Sequence, residues 1–166
     1  MKVDADNTTG LSRFVFSEYT QSEHLQLEAY PSGGIKTLTR HLFGDSDTPL
    51  KVYIRDCYKT LAEKIHTLIK TKNVLIAGTR GIGKSTLGFL MVFDFADKGD
   101  IVVYSHKNEH VMVLGENVNP DKFIRMNVIL QANGYDPIVE KAVYSFKSKD
   151  SDLFTYFSKD ENFRFV

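Results

Sequence analysis

Residues 78–85 read Gly-Thr-Arg-Gly-Ile-Gly-Lys-Ser. This stretch, in the pattern G-x-x-x-x-G-K-[ST], constrains the surrounding fold more than any other part of the chain. Its glycines permit a backbone path along which successive amide N–H groups turn inward around a polyphosphate. Lys84 has the reach for β- and γ-phosphates, and the Ser85 hydroxyl is a ligand for Mg²⁺. Such a loop belongs between a buried strand and a helix N-terminus, whose dipole adds positive character. The flanks supply both. Asn73-Val74-Leu75-Ile76-Ala77 is an apolar run of strand length that ends at Gly78. Lys84 to Ala96 is apolar almost all the way round, as suits a helix packed into a sheet. Asp97-Lys98-Gly99-Asp100 ends that helix, with Gly99 as its C-terminal stop, and Ile101 to Ser105 reads as the next strand. The order strand, loop, helix, strand is a βαβ unit. It predicts an α/β fold of the P-loop NTPase kind, a three-layer core with a mainly parallel sheet that is incomplete at its C-terminal side. Nucleotide contacts are expected at Gly78, Thr79, Arg80, Gly81, Ile82, Gly83, Lys84, Ser85 and Thr86. Lys84 is the candidate catalytic residue and Ser85 the candidate Mg²⁺ ligand. The implied ligand is ATP, or another nucleoside triphosphate, with Mg²⁺.

Composition narrows the function classes. The chain has 166 residues, 42% hydrophobic and 25% charged, with zero net charge. That is the make-up of one ordinary globular domain, without the basic surplus that would argue for nucleic acid. Charge is uneven along it: residues 1–50 hold 4 basic and 7 acidic side chains, residues 51–100 hold 9 and 5. The positive stretch contains the loop and suits an anionic ligand, without separating ATP from a nucleic-acid backbone. A single cysteine, Cys57, excludes an internal disulfide. No apolar run reaches membrane-spanning length, so no membrane partner is expected. The N-terminus lacks the basic-then-apolar pattern of a signal peptide. These features read as a soluble intracellular chain.

Residues 1–50 are weakly patterned and are set apart from a P-loop NTPase-like domain over 51–166. Within the first segment, Ser12 to Phe16 suggests a strand and Ser22 to Tyr30 a helix. Pro31 to Gly34 and Gly44 to Pro49 are breaks. Residues 51–70 predict an amphipathic helix, with Ile54, Cys57, Tyr58, Leu61, Ile65, Leu68 and Ile69 on one stripe. That stripe would pack beside the first strand, fix the loop and bury Cys57. Further on, His110 to Leu114 and Lys141 to Phe146 suggest strands. Asp121 to Gln131 fits helix or strand, and Asn133 to Pro137 is a turn. Asp152 to Phe157 is a short aromatic-rich segment, and Phe163 to Val166 begins another strand.

A P-loop ATPase also needs an acid at the end of a hydrophobic strand, which holds Mg²⁺ through water. Phe89 to Asp94 fits that pattern, but it lies in the loop's own helix. At ~1.5 Å per residue, Asp94 would sit about 14 Å from the helix start. Phe163 to Val166 fits the first half of the required strand, and a chain ending at Val166 stops before its acid. No arginine finger is evident: Arg80 is inside the loop, and Arg125 and Arg164 have no assignable role. His106-Lys107-Asn108-Glu109-His110 matches H-x-x-E-H, a zinc pattern when helical, with Glu140 or Glu161 as a distant third ligand. Its place after a strand makes it a polar loop at the sheet's edge instead.

The block Val52-Tyr53-Ile54-Arg55-Asp56-Cys57-Tyr58-Lys59, the loop Ala77 to Ser85 and the strand Ile101 to Tyr104 together resemble one known group. The likeness is to the P-loop region of Crinkler effector proteins and the related retrotransposon hot spot proteins, over about residues 50–106. The resemblance implies an NTPase domain, often coupled to a nuclease-like domain. It also implies a protein or nucleic-acid partner reached through such further domains. Several members are secreted and act in a host nucleus. The family's Leu-x-Leu-Phe-Leu-Ala-Lys delivery segment is not found in residues 1–50, and Arg80 stands where the family usually has proline. Three readings follow: a P-loop ATPase of this type, a truncated nucleotide-binding effector or interaction module without catalysis, and a P-loop small-molecule kinase.

Overall fold

The computed structural model describes residues 3–4, 12–14, 33–38, 50–71, 73–106, 109–139, 141, 143–145, 151–160 and 162–166. Eight strands are present among them: β1 (Val3–Asp4), β2 (Ser12–Phe14), β3 (Ile35–Leu38), β4 (Leu50–Tyr53), β5 (Ile101–His106), β6 (Glu109–Leu114), β7 (Val143–Ser145) and β8 (Phe163–Phe165). The helices are α1 (Asp56–Leu68), α2 (Lys84–Asp97), α3 (Pro120–Ala132) and α4 (Ser151–Ser158). A six-stranded sheet runs β1-β2-β7-β6-β5-β8, and β3 and β4 form a separate hairpin.

The fold is mixed α/β, as the alternation of strand and helix patterns predicts. The mainly parallel sheet is not found. Among the described strands only β5 and β8 run parallel, while the other pairings of the large sheet are antiparallel. The cause is local. Two residues link β5 to β6, too few for a crossover, so β6 folds straight back with Ser105 opposite His110. Helix α4 separates β7 from β8, and β8 lies parallel on the other edge of β5.

Strand alternation divides the core between two faces. Val102, Tyr104, Val111 and Val113 pack with α1 and α2. Ile101, Val103, Met112 and Leu114 point the other way, to Met126 and Leu130 of α3 and Leu153 and Phe157 of α4. Helix α2 is buried almost without a break from Leu87 to Ala96, which is why its sequence is apolar all round rather than striped. Each fully buried Leu or Phe here contributes about 1.5–3 kcal/mol. Helix α2 ends at Lys98–Gly99, and Gly99 holds φ 88°. Helix α3 starts with Pro120 in its first turn, and the Asn119 side chain accepts from the amides of Asp121 and Lys122.

Several expectations need correction. The amphipathic helix does not begin at residue 51. Leu50–Tyr53 is a strand paired with β3, and Ile54 extends that pairing by donating to Gly34 O at 2.8 Å and accepting from Gly33 N at 2.8 Å. Ile54 is therefore not a position of the helix, and at the end of the hairpin its side chain is fully buried in the core shared with α1 and α2. The stripe that α1 does bury is Tyr58, Ala62 and Ile65, and Cys57, one residue off it, is exposed. The run Asn73 to Ala77 is not a strand. The ambiguous segment 121–131 is helical, and the aromatic-rich one is α4. The expected helix at 22–30 and the break at 44–49 lie outside the described residues.

Candidate functional site

Residues 78–83 form a turn that delivers the chain directly into α2 at Lys84. Gly83 is the N-cap, with φ 86° and ψ 22° in the left-handed region that glycine alone adopts freely. The Lys84 ammonium lies back across the loop and donates to the carbonyls of Gly78 at 2.8 Å and Thr79 at 2.7 Å. The first turn of α2 contains no acid and receives no side-chain cap, so its amides and its positive end remain directed at the loop. Thr79, Arg80, Gly81, Ile82 and Ser85 are exposed, while Thr86 is half-buried. The structure thus brings the predicted nucleotide-contacting residues together on one accessible turn.

Helix α1 braces that turn. Tyr58 is 2% exposed, and its hydroxyl donates to Gly83 O at 3.1 Å. The Arg55 and Thr86 side chains lie beside the Tyr58 hydroxyl and favour its ionised form. Burial pushes the Tyr58 phenol above its ordinary value, against the adjacent Arg55 guanidinium, which pulls it down. A Cβ at position 83 would overlap the Tyr58 hydroxyl and lie 3.5 Å from Arg55 Nε. Glycine is required there twice, by the backbone and by the close approach of α1.

Tyr58 and Arg55 were not legible as site residues. Tyr58 reads as one more apolar position on a helix, and Arg55 as a solvated charge. The only available signal was that their block precedes the loop and carries the family resemblance.

Asp94, the acid that matched the strand-end pattern, has a structural role. It is 1% exposed on α2, bonded to His66 Nε2 of α1 and to Lys98 Nζ at 3.2 Å. Lys98 Nζ also lies 2.9 Å from His66 Nε2, and the His66 ring stands edge-on to Phe95. This cluster fastens α1 to α2 at the far end from the loop. Arg125 and Arg164 also acquire partners, in Asp160 at 2.5 Å and Asp100 at 3.3 Å. Two hydrogen bonds of the Asn162 amides and the Arg125 guanidinium hold Asp160 below its ordinary value although burial alone would raise it.

The H-x-x-E-H segment is a hairpin, with His106 paired to Glu109 and His110 Nδ1 2.8 Å from Ser105 Oγ. Its histidines stand on separate strands and do not share a helical face, and residues 107–108 of the expected loop lie outside the described residues. Among the described residues no group of three His, Cys, Asp or Glu is placed to hold a metal. No helix among the described residues is long and apolar enough to cross a membrane.

Strand β8 reaches the site from the other side. Val166 continues its pairing with β5, donating to Val103 O and accepting from Ser105 N, both at 3.0 Å. The Val166 side chain is 3.7 Å from where a Cβ on Gly88 would sit, one turn into α2. A groove of about 1230 Å³ separates this edge from the run before the loop, lined by Val74, Ile76, Met91, Arg164 and Val166 among others. Leu75 in that run is 92% exposed.

Set against protein-family models, curated proteins and solved structures, the chain matches none of them.

Proposed function

We propose that this protein binds a nucleoside triphosphate, ATP in the first instance, with Mg²⁺ on the loop formed by residues 78–86. The observation that carries this reading is the loop itself. A complete G-x-x-x-x-G-K-S sequence runs directly into a helix with an uncapped first turn, and its lysine ammonium spans the loop's opening. Inward amides and a positive helix end recognise phosphate oxygens, Lys84 neutralises the β/γ end, and Ser85 ligates Mg²⁺. The P-loop NTPase identity, with three layers around the sheet, belongs to this proposal, as does the likeness to Crinkler and retrotransposon hot spot proteins.

Nucleotide binding is the activity proposed. Hydrolysis would require an acid on the Mg²⁺ shell and a group that orients water. Asp94, the sequence's candidate, is committed to His66 and Lys98.

Ligand-dependent thermal stabilisation tests the reading. At 100 times Kd, ATP–Mg²⁺ should stabilise the protein by about 2.7 kcal/mol. That raises Tm by roughly 5–11 °C for a domain of this size. Lys84→Ala should abolish most of the rise while leaving the Tm of the free protein unchanged. An equal rise in both proteins would reject the site.

A further inference from the structure

The last glycine of the loop has a cation beside it that belongs to a different element. Arg55 is the N-cap of α1, exposed, and makes no side-chain cap of its own helix. Its Nε lies 3.5 Å from the Cβ position at Gly83. Among the described residues no ion pair with a carboxylate occupies it. The Tyr58 hydroxyl, buried beneath, donates to Gly83 O, and the Arg55 guanidinium adjoins it on the side of the loop where α2 begins.

Besides Arg80 within the loop, two cations border it, one near its first residues and one near its last. Lys84 Nζ lies over the start of the loop, at the carbonyls of Gly78 and Thr79. Arg55 lies at its finish, beside Gly83. The loop's amides cradle α- and β-phosphates, and its lysine serves the β/γ end. A cation at the finish of the loop, where α2 begins, is on the side away from the lysine's β/γ end.

We propose that Arg55 is a nucleotide-binding residue whose guanidinium grips the sugar-proximal, α-phosphate end of a nucleoside di- or triphosphate held by residues 78–86. This rests on the nucleotide reading above. A planar guanidinium takes two phosphate oxygens at once, which a lysine ammonium cannot reproduce. Tyr58 is a positioning residue that acts through Arg55 and Gly83.

The test is equilibrium titration of the full 166-residue chain with ATP–Mg²⁺ and with ADP–Mg²⁺, in wild type, Arg55→Ala, Arg55→Lys and Lys84→Ala. One lost charge-assisted contact is worth about tenfold or more in affinity. Arg55→Ala should weaken ATP and ADP by the same factor, because both carry the α-phosphate, with Tm of the free protein unchanged. Arg55→Lys should fall between Arg55→Ala and wild type. Unchanged affinity for both ligands in Arg55→Ala, while Lys84→Ala loses binding, would overturn the role of Arg55 and leave the nucleotide site standing. A loss confined to ATP would place the guanidinium at the γ end and overturn the assignment to the α-phosphate. If wild type binds neither ligand, or Lys84→Ala binds as wild type does, both proposals fall.

Discussion

The contact between Tyr58 and Gly83 can be measured by a double-mutant cycle. Gly83→Ala forces a residue with a Cβ into φ 86°, at a cost of about 1–2 kcal/mol. It also drives that Cβ into the Tyr58 hydroxyl, and overpacking of this kind adds about 1–3 kcal/mol. Taking the middle of both ranges, the single variant should lose about 3.5 kcal/mol, a large share of the 5–15 kcal/mol typical of a domain. Tyr58→Phe alone gives up the 3.1 Å hydrogen bond to Gly83 O, worth about 1 kcal/mol. Independent effects would sum to about 4.5 kcal/mol in the double variant. The structure predicts less, about 2–3 kcal/mol, because removing the hydroxyl removes the atom that the new Cβ overlaps. Urea unfolding of the four proteins at constant m-value reads the difference. A coupling of zero within error would refute the packing of α1 against the loop.

Other predictions follow from the same geometry. Asp94→Asn should destabilise the protein by about 1–3 kcal/mol, since it weakens a buried carboxylate's bonds to His66 and Lys98; nucleotide affinity should not change, and a lost Mg²⁺ dependence would restore Asp94 as a metal-shell residue. Leu90→Ala, at a side chain with no exposure, should cost about 2–5 kcal/mol in chemical denaturation. Asp160 has its folded value lowered, so its stabilisation is present above the unfolded carboxylate value and is lost as pH falls through the folded one; Asp160→Asn should flatten the acid limb of a stability–pH curve, and identical limbs would count against it. Tyr58 has its folded value raised, so its contribution holds below the ordinary phenol range and fades as pH climbs through the folded value; Tyr58→Phe should remove that alkaline loss.

What could be read in the sequence follows how local each signal is. The loop is specified by eight adjacent residues, and the helix Lys84 to Asp97 by a continuous apolar run, so both were legible. The strands at 101–106 and 109–114 announce themselves by length and alternation. Asn73 to Ala77 failed for the opposite reason. A strand exists only with a partner, and between this run and β8 lies a groove that no described strand fills. The start of α1 was misplaced because Leu50 to Ile54 fits helical spacing, yet pairs with a hairpin partner at residues 33–38. Cys57 was misassigned with it, since shifting the helix start alters which residues define its buried stripe. Tyr58 and Arg55 became site residues only through the distance from α1 to Gly83, a tertiary fact without a local sequence mark.

The central claim is that residues 78–86 hold a nucleoside triphosphate. Isothermal titration of ATP–Mg²⁺ into the wild-type chain and into Lys84→Ala tests it most directly. Saturable one-to-one binding by wild type, weakened at least tenfold in a Lys84→Ala protein of unchanged Tm, is the predicted result. A folded wild-type chain that takes up no heat with ATP, ADP or GTP in the presence of Mg²⁺ would contradict it.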